Sequence, residues 1–216
     1  MTERLMPSAS DEIRASAAAD WQAATDHRLF RQIIDDRVDD HVFERYLRIE
    51  LGFIDTAAAA LGAAVARAPN VDDRTILAAG LHDLLTSQVD FFVSALGTDR
   101  TILVPASARG LHLHFDAMIR SGDYAELLAT MLAAEWLYQT WCSETLAEPS
   151  RRDIIRAWTE LHTSPAFIGH VAWLRERIDT LSATTMSAPA AQARLGHAFR
   201  RALAAEIRFH DAAYDD

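Results

Sequence analysis

The sequence predicts an all-α protein, a multi-helix bundle, on three observations. Half of its residues are hydrophobic while only eight of 216 are glycine, a balance that suits packed helices better than short strands and turns. Alanine is abundant, and apolar residues recur at three- and four-residue spacing over long stretches. No Gly/Ser-rich or Pro-rich break divides the chain, so residues 11–216 read as one helical domain behind a flexible N-terminal arm, 1–10.

The elements follow in order. Ser10, Asp11 and Glu12 mark a helix start, and one helix is expected to about Thr25, with Ile13, Ala17 and Trp21 on one side. A short helix over 27–34 leads into the acid-rich connection 35–40. Residues 42–68 read as one long helix ending before Pro69, because the residue before proline disfavours helical geometry. Its inner face carries Tyr46, Ile49, Glu50, Phe53 and Ala57, while Arg48 points to the surface. Asp72 and Asp73 start a helix over 74–96 that stops at Gly97. A loop with Pro105 precedes a helix over 111–120, and Ser121-Gly122 separates it from the central stretch 123–146, closed by Pro149. Helices over 153–162 and 166–181 flank the break Thr163-Ser164-Pro165, and a last helix covers 191–213.

Charge narrows the function classes. The formal net charge is −10 and there is no lysine, so Schiff-base chemistry on a lysine is out and nucleic-acid or anionic-membrane binding is disfavoured. Cys142 is the only cysteine, which rules out an intramolecular disulfide and a cysteine-based zinc site. It sits beside no obvious base and reads as packing. The N-terminus lacks a signal-peptide core and no apolar run of about 18 residues occurs, so a cytoplasmic protein is expected. No glycine-rich phosphate loop, G-x-S-x-G elbow or repeat is present.

Three carboxylates stand on apolar helix faces: Glu50, Glu135 and Glu206. In the central stretch, Tyr124, Leu127, Leu128, Met131, Leu132, Glu135, Tyr138 and Cys142 share one face, interrupted only by Glu135 and the phenol of Tyr138. Phe199, Ala202, Leu203, Glu206, His210 and Ala213 share another. Burying a carboxylate costs several kcal/mol unless it is compensated, so three such residues point to a shared polar pocket. The pocket could bind an amino-bearing heterocycle and shuttle protons, or hold two metal ions. The metal reading draws on Glu206 and His210 at i and i+4, with His82, His112 and His114 elsewhere, but the repeated Glu-x-x-His of di-iron bundles is missing. His210 then reads as a half-buried histidine near the chain end.

The run Gly122-Asp123-Tyr124-Ala125-Glu126-Leu127-Leu128, continuing to Ala134-Glu135-Trp136-Leu137-Tyr138, resembles the heart of the TenA/thiaminase II family. The ending from Glu206 to Tyr214 is similar to the family's closing pattern, and Trp158, His162 and Phe167 fit a weaker one. The resemblance spans nearly the whole chain. It implies a haem-oxygenase-like helical fold, usually a homo-oligomer (dimer or tetramer), and metal-free, cofactor-independent hydrolysis of aminopyrimidines in salvage of thiamin breakdown products.

The family's nucleophilic cysteine is Ala134 here, while a cysteine-less branch acting on amino- or formylamino-methylpyrimidines carries a glutamate matching Glu135. Glu50 stands for the pyrimidine-binding aspartate, one methylene longer and so reaching about 1.5 Å further. Phe53 stands for its partner tyrosine, His162 for another pocket tyrosine, and Leu111 or His112 for a stacking one; Tyr138 and Glu206 are retained. The expected assignment follows: Glu206 and Glu135 catalytic, with Glu206 protonating the leaving amine and Glu135 activating water. Glu50, Phe53, Tyr138 and His162 are expected to bind substrate, and Glu135 and Glu206 to titrate as a coupled pair. A dimetal oxidase and a non-catalytic heterocycle-binding homologue are the alternatives, since fold does not fix function.

Overall fold

The computed structural model describes residues 8–147 and 152–215. In chain order these form α1 (Ala9–Ser16), α2 (Ala18–Thr25), α3 (Arg28–Ile34), α4 (Asp40–Arg67) and α5 (Val71–Asp83), then a π-helical turn (Leu84–Gln88) running into α6 (Val89–Leu96). After a loop come α7 (Arg109–Ser121), α8 (Tyr124–Ala147), α9 (Asp153–Leu161), α10 (Pro165–Thr184), α11 (Pro189–Asp211) and a closing 3₁₀ turn (Ala212–Tyr214). Among the described residues there is no strand. The expected stop at Pro149 and most of the expected N-terminal arm fall outside the described residues, and α1 begins at Ala9 with Ser8 as its cap.

The central stretch becomes the axis of the bundle. Asp123 Oδ1 accepts from Glu126 N (2.8 Å) and Glu126 Oε2 accepts from Asp123 N (3.0 Å), a reciprocal capping box that fixes where α8 starts. α8 packs against α11 and α10, and also touches α4, α7 and α9. Most of its apolar residues are buried, and Trp141 stacks on Phe30 of α3 at 4.5 Å between centroids. By length and composition alone, Asp40–Arg67 and Val71–Leu96 could cross a membrane. Here α4 packs on α5 and α7 within the bundle.

Three expectations change. The single first helix is two: the chain turns at Ala17 (φ −106°, ψ 22°), whose N–H bonds Arg14 O, and Ala17 is itself buried in the core. The helix expected over 74–96 starts earlier, at Val71, because Asn70 rather than Asp73 caps it, accepting from Asp73 N at 2.8 Å. It is also interrupted by the π turn, whose wider winding brings Asp83, Leu84 and Gln88 to one cavity wall. Neither break carries a glycine or proline to announce it.

Arg48 is not a free surface residue. It donates to Glu44 Oε1 (2.7 Å), Asp99 O (2.9 Å) and Asp99 Oδ2 (3.1 Å), pinning the loop before α7 across α4. Gly52 lies beneath the same loop: a Cβ there would stand 2.9 Å from both Ile102 Cγ2 and Leu103 O. Leu103 O is backbone and cannot simply rotate away. Gly52→Ala is therefore expected to destabilise the fold by about 1–3 kcal/mol through overpacking, read as a lower urea midpoint with an unchanged slope.

Candidate active site

A cavity of about 490 Å³ opens between α4, α5, α8, α10 and α11, and Glu50, Phe53, Glu135, Tyr138, His162 and Glu206 all line it. That volume falls in the range of small-molecule sites. Most of the remaining wall is apolar or aromatic, including Leu111, Phe115, Phe167 and Phe209. Glu50, Glu135 and Glu206 reach it from three helices because each occupies an inward position of its apolar stripe.

Tyr138 is the hub of one polar group. It donates its hydroxyl proton to Glu50 Oε1, accepts from Tyr46 Oη at 3.3 Å, and lies 2.9 Å from His210 Nε2. Burial pushes the Glu50 carboxyl up to about 7, against the pull of its bonds from Tyr138 and Tyr46. When Glu50 carries a proton it can donate to Tyr138, which frees the Tyr138 proton for His210. Burial, followed by the nearby charge of His27, holds His210 well below the usual histidine range and therefore neutral. His210 is only 1% exposed, not the half-buried residue expected.

Glu206 is equally sealed, at 1% exposure, and its Oε2 makes no hydrogen bond, lying 3.7 Å from His210 Nε2. Burial first, and then the Glu50 charge, raise its carboxyl well above the ordinary range, which favours its protonated form. The expected Glu135–Glu206 couple is thus replaced: Glu206 interacts with Glu50, while Glu135 turns to a histidine. Glu135 Oε2 stands 3.3 Å from His170 Nε2 on α10. Burial opposes a charge on His170, but Glu135, with a smaller contribution from Asp83, outweighs it and raises the imidazole above its usual value.

His162 lines the cavity as a neutral ring. Its Nδ1 donates to Trp158 O (3.0 Å), and burial lowers it to about 4. That leaves Nε2 unprotonated. Phe53 packs edge-on to Phe115 (5.1 Å) and Phe209 (5.6 Å), giving a planar ligand aromatic walls. Of the two residues considered for the stacking position, Leu111 lines the cavity, whereas His112 Nδ1 pairs with Thr56 Oγ1 at 2.8 Å. Cys142 is fully buried, and burial, then Glu50, push its thiol up, so it has no nucleophile's environment. Ala134, by contrast, is on the cavity wall. His114 is buried and bonded to Ala198 O.

His170, Asp83 and Gln88 were not legible as wall residues. They depend on the π turn and on how α10 docks, neither of which a single helix's periodicity reveals. His210 and Tyr46 did lie on faces read as inward. Among the described residues no three His, Cys, Asp or Glu side chains are grouped to hold a metal ion.

Residues 14–216 match the TENA/THI-4/PQQC family. The chain belongs to it. TenA structures share its haem-oxygenase-like helical fold. A TenA homologue from Pyrococcus furiosus superposes with a TM-score of 0.87 at 16% identity, covering 95% of this chain and 100% of that one. A TenA family transcription regulator from a Silicibacter species gives 0.87 at 18% identity, covering 96% and 97%. A proposed TenA-like thiaminase from Sulfolobus solfataricus gives 0.78 at 14%, covering 99% and 97%. No curated protein matches the sequence. At these identities the likeness speaks for the fold, and what this TenA member does rests on its own cavity.

Proposed function

We propose that this TenA member is a hydrolase that cleaves a C–N bond of an aminopyrimidine without a cofactor, acting on amino- or formylamino-methylpyrimidine products of thiamin breakdown. The observation that carries the reading is Glu206: a buried carboxyl held in its protonated form, with an unpartnered oxygen, on the wall of an aromatic cavity shared with two further carboxyl groups. A group kept protonated at neutral pH suits a general acid for a departing amine. The S. solfataricus relative described as TenA-like thiaminase points to the same chemistry.

In this reading Glu50, steadied by Tyr138, accepts from the amino edge of the ring, and the Phe53 and Phe209 walls hold its faces. Neutral His162 offers Nε2 as a further acceptor for an N–H. Glu135 takes a proton from water as its oxygen attacks the carbon bearing the scissile nitrogen. The C–N bond breaks, and Glu206 gives its proton to the leaving nitrogen. Among the described residues nothing on the wall other than histidine is cationic, so an unphosphorylated, neutral or cationic ligand is favoured. Self-association into a dimer or tetramer and a cytoplasmic location belong to the same proposal.

The test is product analysis after incubating chelator-treated protein with aminomethylpyrimidine, its N-formyl derivative and thiamin. Hydroxymethylpyrimidine with ammonia, or aminomethylpyrimidine with formate, is the expected result, and it names the branch. Folded protein that converts none of the three would remove the hydrolase reading.

A further inference from the structure

The proposed reaction needs one carboxyl group to give a proton and another to take one, within a single cavity. The three carboxyls are all inward, yet their surroundings differ. Glu50 and Glu206 share a neighbourhood of tyrosine hydroxyls and neutral His210. Glu135 alone faces an imidazole with a carboxylate behind it. His170 Nε2 stands 3.3 Å from Glu135 Oε2, an ion-pair contact, and both atoms are shut off from solvent with no hydrogen-bond partner. The Glu135 side chain nevertheless keeps 21% of its surface open. What it shows to the cavity is therefore not Oε2, which His170 covers.

The placement of His170 has its own structural signature. Gly80, in the interior of α5, has its missing Cβ directed at the His170 ring: a methyl there would lie 3.0 Å from Cε1 and 3.3 Å from Nδ1. A glycine inside a helix costs about 1 kcal/mol relative to alanine. Close approach of this ring is the reason the structure supplies for it. The ring's other side stacks on Trp173, at 6.0 Å and 28°. Asp83, at the start of the π turn, adds negative potential from α5. Helix α5, helix α8 and its own helix thus fix the imidazole against one oxygen of Glu135.

We propose that His170 is the positioning residue for the water-activating base, holding Glu135 Oε2 from behind so that the other oxygen works as a carboxylate toward a cavity-bound water. The proposal rests on the hydrolase reading above and deepens it. His170 acts through Glu135 and transfers no proton of its own. It restricts the glutamate's rotamer and supplies a compensating positive charge, while among the described residues no comparable cation faces Glu50 or Glu206. One wall then takes protons while another gives them, although all three residues are glutamates.

The test combines kinetics with histidine NMR, using the N-formyl and amine substrates named above. His170→Ala is expected to lower kcat by about 100-fold, the usual scale for a mispositioned catalytic group, with KM within about 2-fold. His170→Gln, which retains an N–H donor without the charge, should lose less. Added imidazole should restore part of the His170→Ala activity. In the NMR arm, the His170 ring should titrate above an ordinary histidine in wild-type protein and return toward it in Glu135→Gln, where Asp83 is the remaining charged neighbour. A rise in KM alone, full activity of His170→Ala, or His170 titration unaffected by Glu135→Gln would each overturn the proposal while leaving the hydrolase reading standing. Wild-type protein that turns over neither substrate would overturn that reading first, and the proposal with it.

Discussion

Glu206→Gln is expected to abolish nearly all turnover of the aminopyrimidine substrate while leaving the fold in place. The two effects separate because of how the residue is held. Burial favours the neutral form of its carboxyl, and the nearly isosteric amide keeps that form without bringing a charge into the core. Oε2 has no hydrogen bond to lose. What disappears is the transferable proton. General acid catalysis contributes about 10²–10⁴-fold, and kcat should fall by that factor, with KM changing little because Glu50 and the aromatic walls remain. Steady-state kinetics together with thermal unfolding checks both halves. Wild-type turnover in Glu206→Gln would take the acid role from this residue and return it to the Glu50–Tyr138 group. Glu206→Ala is a poorer probe, since it opens a void at a buried position and confounds catalysis with packing.

The same residue shows where sequence reasoning reaches its limit. That Glu50, Glu135 and Glu206 face inward follows from helical periodicity, since each interrupts an otherwise apolar stripe. Convergence on one cavity is a natural consequence of three such stripes in a bundle. Which carboxyl meets which partner depends on the rotation and offset of one helix against another, and no single stripe encodes that. Glu206 consequently couples to Glu50 on α4, and Glu135 to His170 on α10, a residue whose own helix offered no reason to single it out.

The helix ends tell a similar story. Asp123 and Glu126 announce the start of α8 through chemistry local to four residues. The turn at Ala17 and the π turn at Leu84–Gln88 are imposed by packing on residues with ordinary helical preferences. Arg48 lies toward the surface as read, but its bonds to Asp99 in the loop after α6 could not be read from its own helix.

Glu50→Gln should be more stable than the wild-type protein at pH 8 and nearly equal to it at pH 4.5, and the sign follows from linkage. The folded protein holds the Glu50 proton up to about 7, against an ordinary 4.5. Between those values the folded state binds more protons than the unfolded chain, so stability falls as pH rises through the window. Over the full window the loss amounts to roughly 3 kcal/mol. Glutamine stays neutral throughout and can still accept from Tyr138, so it escapes this loss. The buried histidines act in the opposite direction. His162, lowered to about 4, and His27 and His210, also lowered, are held neutral and weaken the fold as pH drops below 6.5. The wild-type profile is therefore a shallow dome in which the Glu50 contribution is masked. Subtracting the two proteins' profiles cancels the histidines and leaves Glu50 together with the part of the Glu206 shift that the Glu50 charge causes, which has the same sign. Urea unfolding of both at pH 4.5, 6, 7 and 8 makes the comparison. A difference that widens steadily toward alkaline pH is the expected result, and a flat one would mean that the cavity tolerates the Glu50 charge, leaving Glu206 alone as the acid its burial protects.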